Sequence, residues 1–457
     1  MHWCVCPVRE IADAPGPHLS PVPHGTASSP SPTQPSVGRR ASVAPAPGQA
    51  KADFQHGQWP MDNTVHQSIR WCSSRTLIGR KGFLLEVTLI QSHIYLSTMA
   101  LQEFMISPAT TSPGYPASLD LYARKDEVCD LEGWRIGLQK AAAQNLTRQL
   151  QEMPSNLLTP TAFAQNVVEV LCKSGVNVEV KVEGWAESQS MHAFLAVGKA
   201  SCEPPIFLEL SYYGTCAEER PIVLVGQGVT YDAGGLCLKE KHELFHMRGD
   251  MTGAAVVVAC CRAVAGLRLP VNIRGLIPLC ENVVGCNSVR TGDMVKSMNG
   301  KTIEIQCTDH EDVLVLADAL LYAQNFCPKC IIDVGTCSGY MRQALDESAA
   351  GVFTNSEILW QQIKHASMHT GDRVWRFPLW KYYSKAVRAG GRSDVQNYGI
   401  DRGGRPCKAA AFLREFVPCG QWMHIDATNV MVTKGFEYEY LRKGMAARPE
   451  HWWSLLI

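Results

Sequence analysis

The 457-residue sequence lacks an excess of either charge: Lys+Arg and Asp+Glu both number 43. Without a basic surplus there is no field to hold a nucleic-acid backbone or an anionic membrane, so neither is an expected partner. Long apolar runs are also lacking. The two most apolar windows, Phe83 to Leu101 and Ala254 to Leu267, are interrupted by Glu86, His93 and Arg262. A membrane span needs about 20 largely apolar residues. No basic segment followed by an apolar stretch opens the sequence, as a secretory signal would. These absences lead to the expectation of an intracellular, cytoplasmic protein. Cysteine is plentiful, at 18, yet Cys327-Pro-Lys-Cys330 is a lone C-x-x-C. A single pair does not complete a four-thiolate zinc site. The cysteines are expected to be reduced and mostly buried as small hydrophobes.

What residues 1–70 lack is periodicity. They are rich in Pro, Ser, Ala and Gly, especially from His18 to Gln49. Such a stretch has too little apolar surface to offset its chain entropy and is expected to be a disordered tail. Arg9, Arg39 and Arg40 among small and hydroxyl residues make a mitochondrial transit segment the alternative, against which the missing amphipathic pattern counts. Residues 71–131, with a strand-like Phe83 to Leu96, are read as a reduced N-terminal α/β domain. Residues 132–457 follow as a linker helix and a larger domain.

That larger part alternates between two periods. A helical pattern runs from Leu131 to Met153, where Pro154 stops it. Thr161 is placed as the cap of a helix from Ala162 through Val170. Strands are expected at Asn177–Val182, Pro205–Leu210, Pro221–Val225, Val271–Leu279, Thr302–Cys307, Cys330–Val334 and Trp422–Asp426. Helices are expected at Gly253–Ala265, Leu314–Ala323, Ile358–Met368 and Cys407–Phe416. This alternation predicts an α/β fold: a mostly parallel or mixed sheet flanked by helices. Ligands of such sheets bind beyond the carboxyl ends of the strands. Gly226, Asp309 and Thr336 all fall at predicted strand ends, which places them on one rim.

The rim is rich in carboxylates. Asp232, Asp250, Asp309 and Glu311 lie in three Gly-lined segments, with Lys239 beside them. Hard divalent cations select oxygen ligands, so the set suits up to two metal ions that polarise a carbonyl and activate water. Lys239 is placed to hold a developing oxyanion. If residues 309–311 are extended, Asp309 and Glu311 share a side and His310 points away, as a structural residue.

The wording of these segments carries more than their spacing. Y-D-A-G-G-L-C-L-K (Tyr231 to Lys239), R-G-D-M-T-G-A-A (Arg248 to Ala255), P-L-C-E-N (Pro278 to Asn282), N-G-K-T-I-E-I (Asn299 to Ile305) and A-A-A-F-L-R-E-F-V (Ala409 to Val417) occur in one order. Over roughly residues 133–450 the sequence resembles the cytosolic leucine aminopeptidase family. L-C-L-K and R-G-D-M-T-G are also similar to its sperm leucyl-aminopeptidase branch, in which site residues are often replaced. The resemblance implies an N-terminal α/β domain, a C-terminal catalytic domain and a homo-hexamer that removes N-terminal residues from peptides with two metal ions. It places Asp232, Asp250, Asp309 and Glu311 at ligand positions, and Lys239 at the oxyanion-stabilising position. Met247, Thr336 and Gly339 match positions lining the pocket for the substrate's first side chain.

Two positions depart. The family pattern V-G-K-G has a metal-ligating lysine where Gln227 stands. The pattern T-D-A-E-G-R ends in an arginine that anchors a bicarbonate base; here Thr308 to Val313 read T-D-H-E-D-V. An amide oxygen is a weaker ligand than an amine for zinc, so Mn2+ or Mg2+ is expected to suit the oxygen-rich set better than Zn2+. Val313 offers nothing to an anion, and Asp312 adds negative charge. Losing a general base costs about 10²–10⁴-fold in rate, so the expected enzyme is weakened. A catalytically silent scaffold is the alternative.

Overall fold

A computed structural model describes residues 130–337, 339–400, 403–433 and 444–445. The expected tail and nearly all of the reduced N-terminal domain lie outside the described residues. Strands β1 (Asn177–Val182), β2 (Ile206–Tyr213), β3 (Ile222–Gly226), β4 (Gly228–Asp232) and β5 (Asn272–Asn282) come first. After β6 (Met294–Lys296) and β7 (Thr302–Glu304) follow β8 (Cys330–Gly335), β9 (Ala350–Thr354), β10 (Val374–Arg376), β11 (Val395–Gln396) and β12 (Gln421–Asp426). The main sheet runs β1-β2-β5-β3-β8-β12-β9-β10, with β4 also paired to β5. Its centre, β5-β3-β8-β12, is parallel; β1, β2 and β9 join antiparallel.

The central strands are buried on both faces, which is why they read as continuous apolar runs. In β3, Val223 and Val225 enter one core and Leu224 the other. In β8, Ile331 faces the first core, and Ile332 and Val334 the second. Each such side chain contributes roughly 1.5–3 kcal/mol on burial.

Helices α1 (Leu131–Glu152) and α2 (Pro160–Cys172) precede β1. Thr159, not Thr161, caps α2: its hydroxyl accepts the Ala162 N–H, and Pro160 takes the first turn, where no N–H is needed. Short α3 (Glu183–Ser188) and α4 (His192–Gly198) follow β1, and α5 (Lys241–Leu244) follows β4. Helix α6 (Thr252–Leu267) is buried nearly all round, between the sheet and α1. Ala143, Ala259 and Ala263 are small enough to let the two helices close up, and Arg262 escapes the apolar contact by donating to the Ala142 carbonyl at 2.7 Å. Helix α7 (Asp312–Ala323) covers the other face with α4. Helices α8 (Tyr340–Leu345), α9 (Glu357–Thr370), α10 (Lys381–Val387) and α11 (Arg405–Arg414) complete the described set. Among the described residues no helix is long and apolar enough to cross a membrane.

One junction fixes the site. The start of α6 sits flush on the ends of β3 and β8. The Ala254 N–H donates to the Gln227 carbonyl at 2.7 Å, and the Gln227 N–H to the Val334 carbonyl at 2.9 Å. This approach requires glycine: a Cβ on Gly253 would stand 2.2 Å from the Val334 oxygen, and one on Gly226 2.6 Å from the Gly253 oxygen.

Two sequence expectations fail near the site. The predicted strand Thr302–Cys307 stops at Glu304 and belongs to a separate three-stranded sheet, β11-β7-β6. Asp309 is therefore on a loop, not at a strand end of the main sheet. Residues 308–311 are also not extended: they turn, and Glu311 takes right-handed helical angles as the N-cap of α7.

Candidate metal centre

Five segments converge beyond the carboxyl ends of β3, β4 and β8. Strand β4 carries a bulge between Val229 and Tyr231, just before Asp232. Bulges re-aim the strand that carries them. Asp232 is buried, and its Oδ1 accepts Gly234 N–H at 2.7 Å and Asn282 Nδ2 at 2.8 Å. Asp250 follows the 3₁₀ turn Met247–Gly249 and is held by Thr336, whose Oγ1 donates to its Oδ1 at 2.6 Å. Glu311 is buried at the head of α7, and its Oε2 has no hydrogen-bond partner.

One carboxylate oxygen from each of Asp232, Asp250 and Glu311 lies within 4.8 Å of the other two. Burial, reinforced by the Asp232 charge, pushes the pKa values of Asp250 and Glu311 upward against the pull of Lys239. Three converging carboxylates, one with an orphaned oxygen, fit a hard divalent cation, which would relieve their repulsion. Asp309 stands apart from the three. Its carboxylate, partly exposed, meets Lys239 Nζ at 2.5 Å, and Nζ also reaches Asp232 Oδ2 at 2.5 Å. Burial opposes the Lys239 charge, but Asp232, Glu311, Asp309 and Asp250 outweigh it and hold its pKa above the ordinary value.

Lys239 returns to the cluster because its loop turns at Gly234 (φ 84°) and Gly235 (φ 61°), and its N–H closes onto the Ala233 carbonyl at 3.0 Å. A Cβ on Gly234 would lie 2.6 Å from Asp309 Oδ1.

The departed positions have definite surroundings. Gln227 is fully buried; its Nε2 donates to Asp250 Oδ2 at 2.7 Å, and its Oε1 accepts the Thr336 N–H at 2.7 Å. Both ends of the amide are engaged. Asp312 is buried, and burial pushes its pKa up to about 7. Val313 is wholly inside the apolar core beneath α7. His310 packs against Tyr398 at 4.9 Å, and burial takes its pKa down to about 4. Of the expected pocket residues, Met247 is half-buried on the turn before Asp250 and Gly339 is exposed at the start of α8. Thr336 serves Asp250 directly. Sequence reasoning assigned no role to Asn282, although it ends the quoted P-L-C-E-N; its amide ties Asp232 to the Thr308 carbonyl at 3.1 Å.

A second buried polar group lies within the sheet, on the face covered by α7. Asp333 of β8 accepts Trp422 Nε1 at 2.6 Å and meets His424 Nδ1 at 2.5 Å. Burial works against the His424 charge, but Asp333 more than offsets it and raises the imidazole pKa.

Sheet and cluster together define a class: an α/β protein whose strand ends gather carboxylates suited to a divalent cation. Comparison with known proteins narrows this. The cytosol aminopeptidase family catalytic domain matches residues 145–451. The cytosol aminopeptidase of Xenopus tropicalis is 48% identical over 324 residues, 70% of this chain and 62% of that protein. The human cytosol aminopeptidase is 46% identical over 323 residues, with the same coverage. Among solved structures, the bottromycin maturation enzyme BotP is similar at a TM-score of 0.69 and 31% identity, covering 77% of this chain and 74% of that one. The chain belongs to the cytosol aminopeptidase family, and it spans 62% of the length of those vertebrate relatives.

Proposed function

We propose that the chain is a cytoplasmic metalloaminopeptidase of weakened turnover, which releases N-terminal residues from peptides and assembles as a homo-hexamer. The family and its aminopeptidase relatives support the reaction class. The observation that carries the weakening is the Gln227 amide, spanning Asp250 and the Thr336 N–H. Its oxygen is the atom that would ligate a metal, and it is already taken.

Asp232, Asp250 and Glu311 would hold one divalent ion, with Asp309 free to join on leaving Lys239. When bound, the ion supplies the Lewis acidity that polarises the scissile carbonyl. The chain's own residues do the rest. Thr336 and Gln227 fix the Asp250 carboxylate from two sides. Lys239 keeps a positive charge beside the carbonyl oxygen, where negative charge develops. Asp312 contributes a buried acid in place of a glycine, and Val313 leaves no anchor for an external base. A second ion would find no free ligand atom at Gln227, whose amide is engaged at both ends. Mn2+ or Mg2+ suits this oxygen set better than Zn2+.

A catalytically silent, scaffolding member is the second reading, favoured by Val313 lying inside the apolar core. The two separate in one experiment. With Mn2+ bound, the purified chain should hydrolyse leucine amide slowly. Gln227→Lys, Asp312→Gly and Val313→Arg together should raise kcat/KM by about 10²-fold or more. An ordinary wild-type rate would remove the weakened reading. A folded, fully metal-loaded triple variant without gain would favour the silent one. Sedimentation giving only monomer at micromolar concentration would remove the hexamer.

A further inference from the structure

Two cysteines are brought side by side at the edge of the carboxylate cluster. Cys237 lies on the loop that returns Lys239, and Cys307 on the segment leading to Asp309 and Glu311. Both are free and partly exposed, and Cys237 Sγ stands 3.8 Å from Thr291 Oγ1. Neither backbone is at liberty to carry its thiol away. The Cys237 N–H donates to Thr308 Oγ1 at 2.8 Å, and that hydroxyl donates to the Gly234 carbonyl at 2.7 Å. The Cys307 carbonyl accepts Asn397 Nδ2 at 2.7 Å, and its N–H donates to Asn397 Oδ1 at 3.4 Å. Gly235 packs so tightly on Thr308 that a Cβ there would stand 3.1 Å from its hydroxyl. Two chain segments distant in sequence are thus laced together where Cys237 meets Thr308, the neighbour of Cys307.

We propose that Cys237 and Cys307 are an oxidative modification site, converted by a peroxide into a reversible disulfide. Cys237 attacks first. Burial works against its thiolate, but hydrogen bonding to Thr308 and Thr291 offsets this and draws its pKa below the ordinary value. An S–O bond forms, the peroxide O–O bond breaks, and the departing hydroxide takes a proton to become water. The sulfur is oxidised to sulfenic acid and the peroxide is reduced. Cys307 then attacks that sulfur: the S–S bond forms, the S–O bond breaks, and the hydroxyl leaves with the Cys307 proton as a second water. The bond ties the Lys239 loop to the Asp309 segment, so it restrains both sides of the cluster at once.

The test uses the full reduced chain and needs no peptidase activity. Hydrogen peroxide is added, free thiols are alkylated, and peptides are mapped without reduction. The expected product is a linked pair containing Cys237 and Cys307, two hydrogens lighter than the separate peptides and released by dithiothreitol. It should form before any bond among the exposed Cys172, Cys202, Cys216 and Cys286. Cys307→Ser should stop at a sulfenic acid on Cys237, trapped by dimedone. Recovery of both thiols free after those exposed cysteines have oxidised, or pairing of Cys237 with another cysteine, would overturn the proposal.

Discussion

The chain buries two polar clusters near the same strand ends, and they are built on opposite rules. Around Asp333 both carboxylate oxygens are answered, one by the Trp422 indole and the other by the His424 ring, and only the far ring nitrogen, Nε2, lacks a partner. Around Asp250 three carboxylates face one another, and one oxygen of Glu311 has no partner at all. The first arrangement sets a carboxylate against a ring that can carry the opposite charge, and serves the fold. The second keeps like charges together at the end of the sheet, where ligands enter. A buried carboxylate thus says little about role until its partners are known.

The sharpest way to test the contrast is to damage each cluster separately. Asp333→Asn should cost about 3–5 kcal/mol, because a buried pair is broken and its partner left behind. Urea melts at about pH 6 would show it. The sign with pH follows from His424: its folded pKa is raised, so the stabilisation is full below its ordinary value and disappears as pH rises through the folded one. Divalent-ion binding should change little.

Glu311→Gln should do the reverse. Metal-free stability should hold or improve, since repulsion is relieved, while Mn2+ affinity should fall about 10²-fold, read by calorimetry. In the intact chain the raised pKa values of Asp250 and Glu311 mean that the folded state keeps protons the unfolded state has lost. Metal-free stability should therefore decline as pH rises above the usual carboxylate range, and the Mn2+-induced rise in Tm should grow. A Tm gain that shrinks with pH would break the comparison.

Thr336→Val is a gentler probe, since it removes the 2.6 Å hydrogen bond but leaves Asp250 in place. About a tenfold loss of Mn2+ affinity is expected, with little change in metal-free Tm. Smallest of all, Thr159→Ala should cost about 0.5–1 kcal/mol of stability through the lost helix cap, with no effect on metal.

The sequence disclosed the sheet because strands such as β3 and β8, buried on both faces, have few alternatives to a continuous apolar run. It also disclosed that acidic residues gather, because their segments have distinctive wording. It could not disclose which of them meet. Asp309 and Glu311 are two residues apart, yet the turn at 308–311 sends one to Lys239 and the other into the trio. Nor was the role of Gln227 readable, since Thr336, which holds its oxygen, is far along the chain. Thr161 reads as the cap if Pro160 is taken for a turn, whereas Pro160 itself occupies the first turn of the helix and moves the cap back to Thr159.

The contact of α6 with β3 and β8 behaves as a depth gauge. Nothing stands at Gly226 or Gly253 except hydrogen, so the helix seats as far in as two backbones allow. Asp250, two residues upstream of α6, inherits its height from that seat. An alanine at Gly253 would act as a shim, lifting the helix start away from the sheet. The carboxylate would rise with it, out of reach of Asp232 and Glu311, although the substituted atom touches neither. Resistance to substitution in this chain should therefore follow the mechanical path from sheet to helix, and reach residues that have no part in the chemistry.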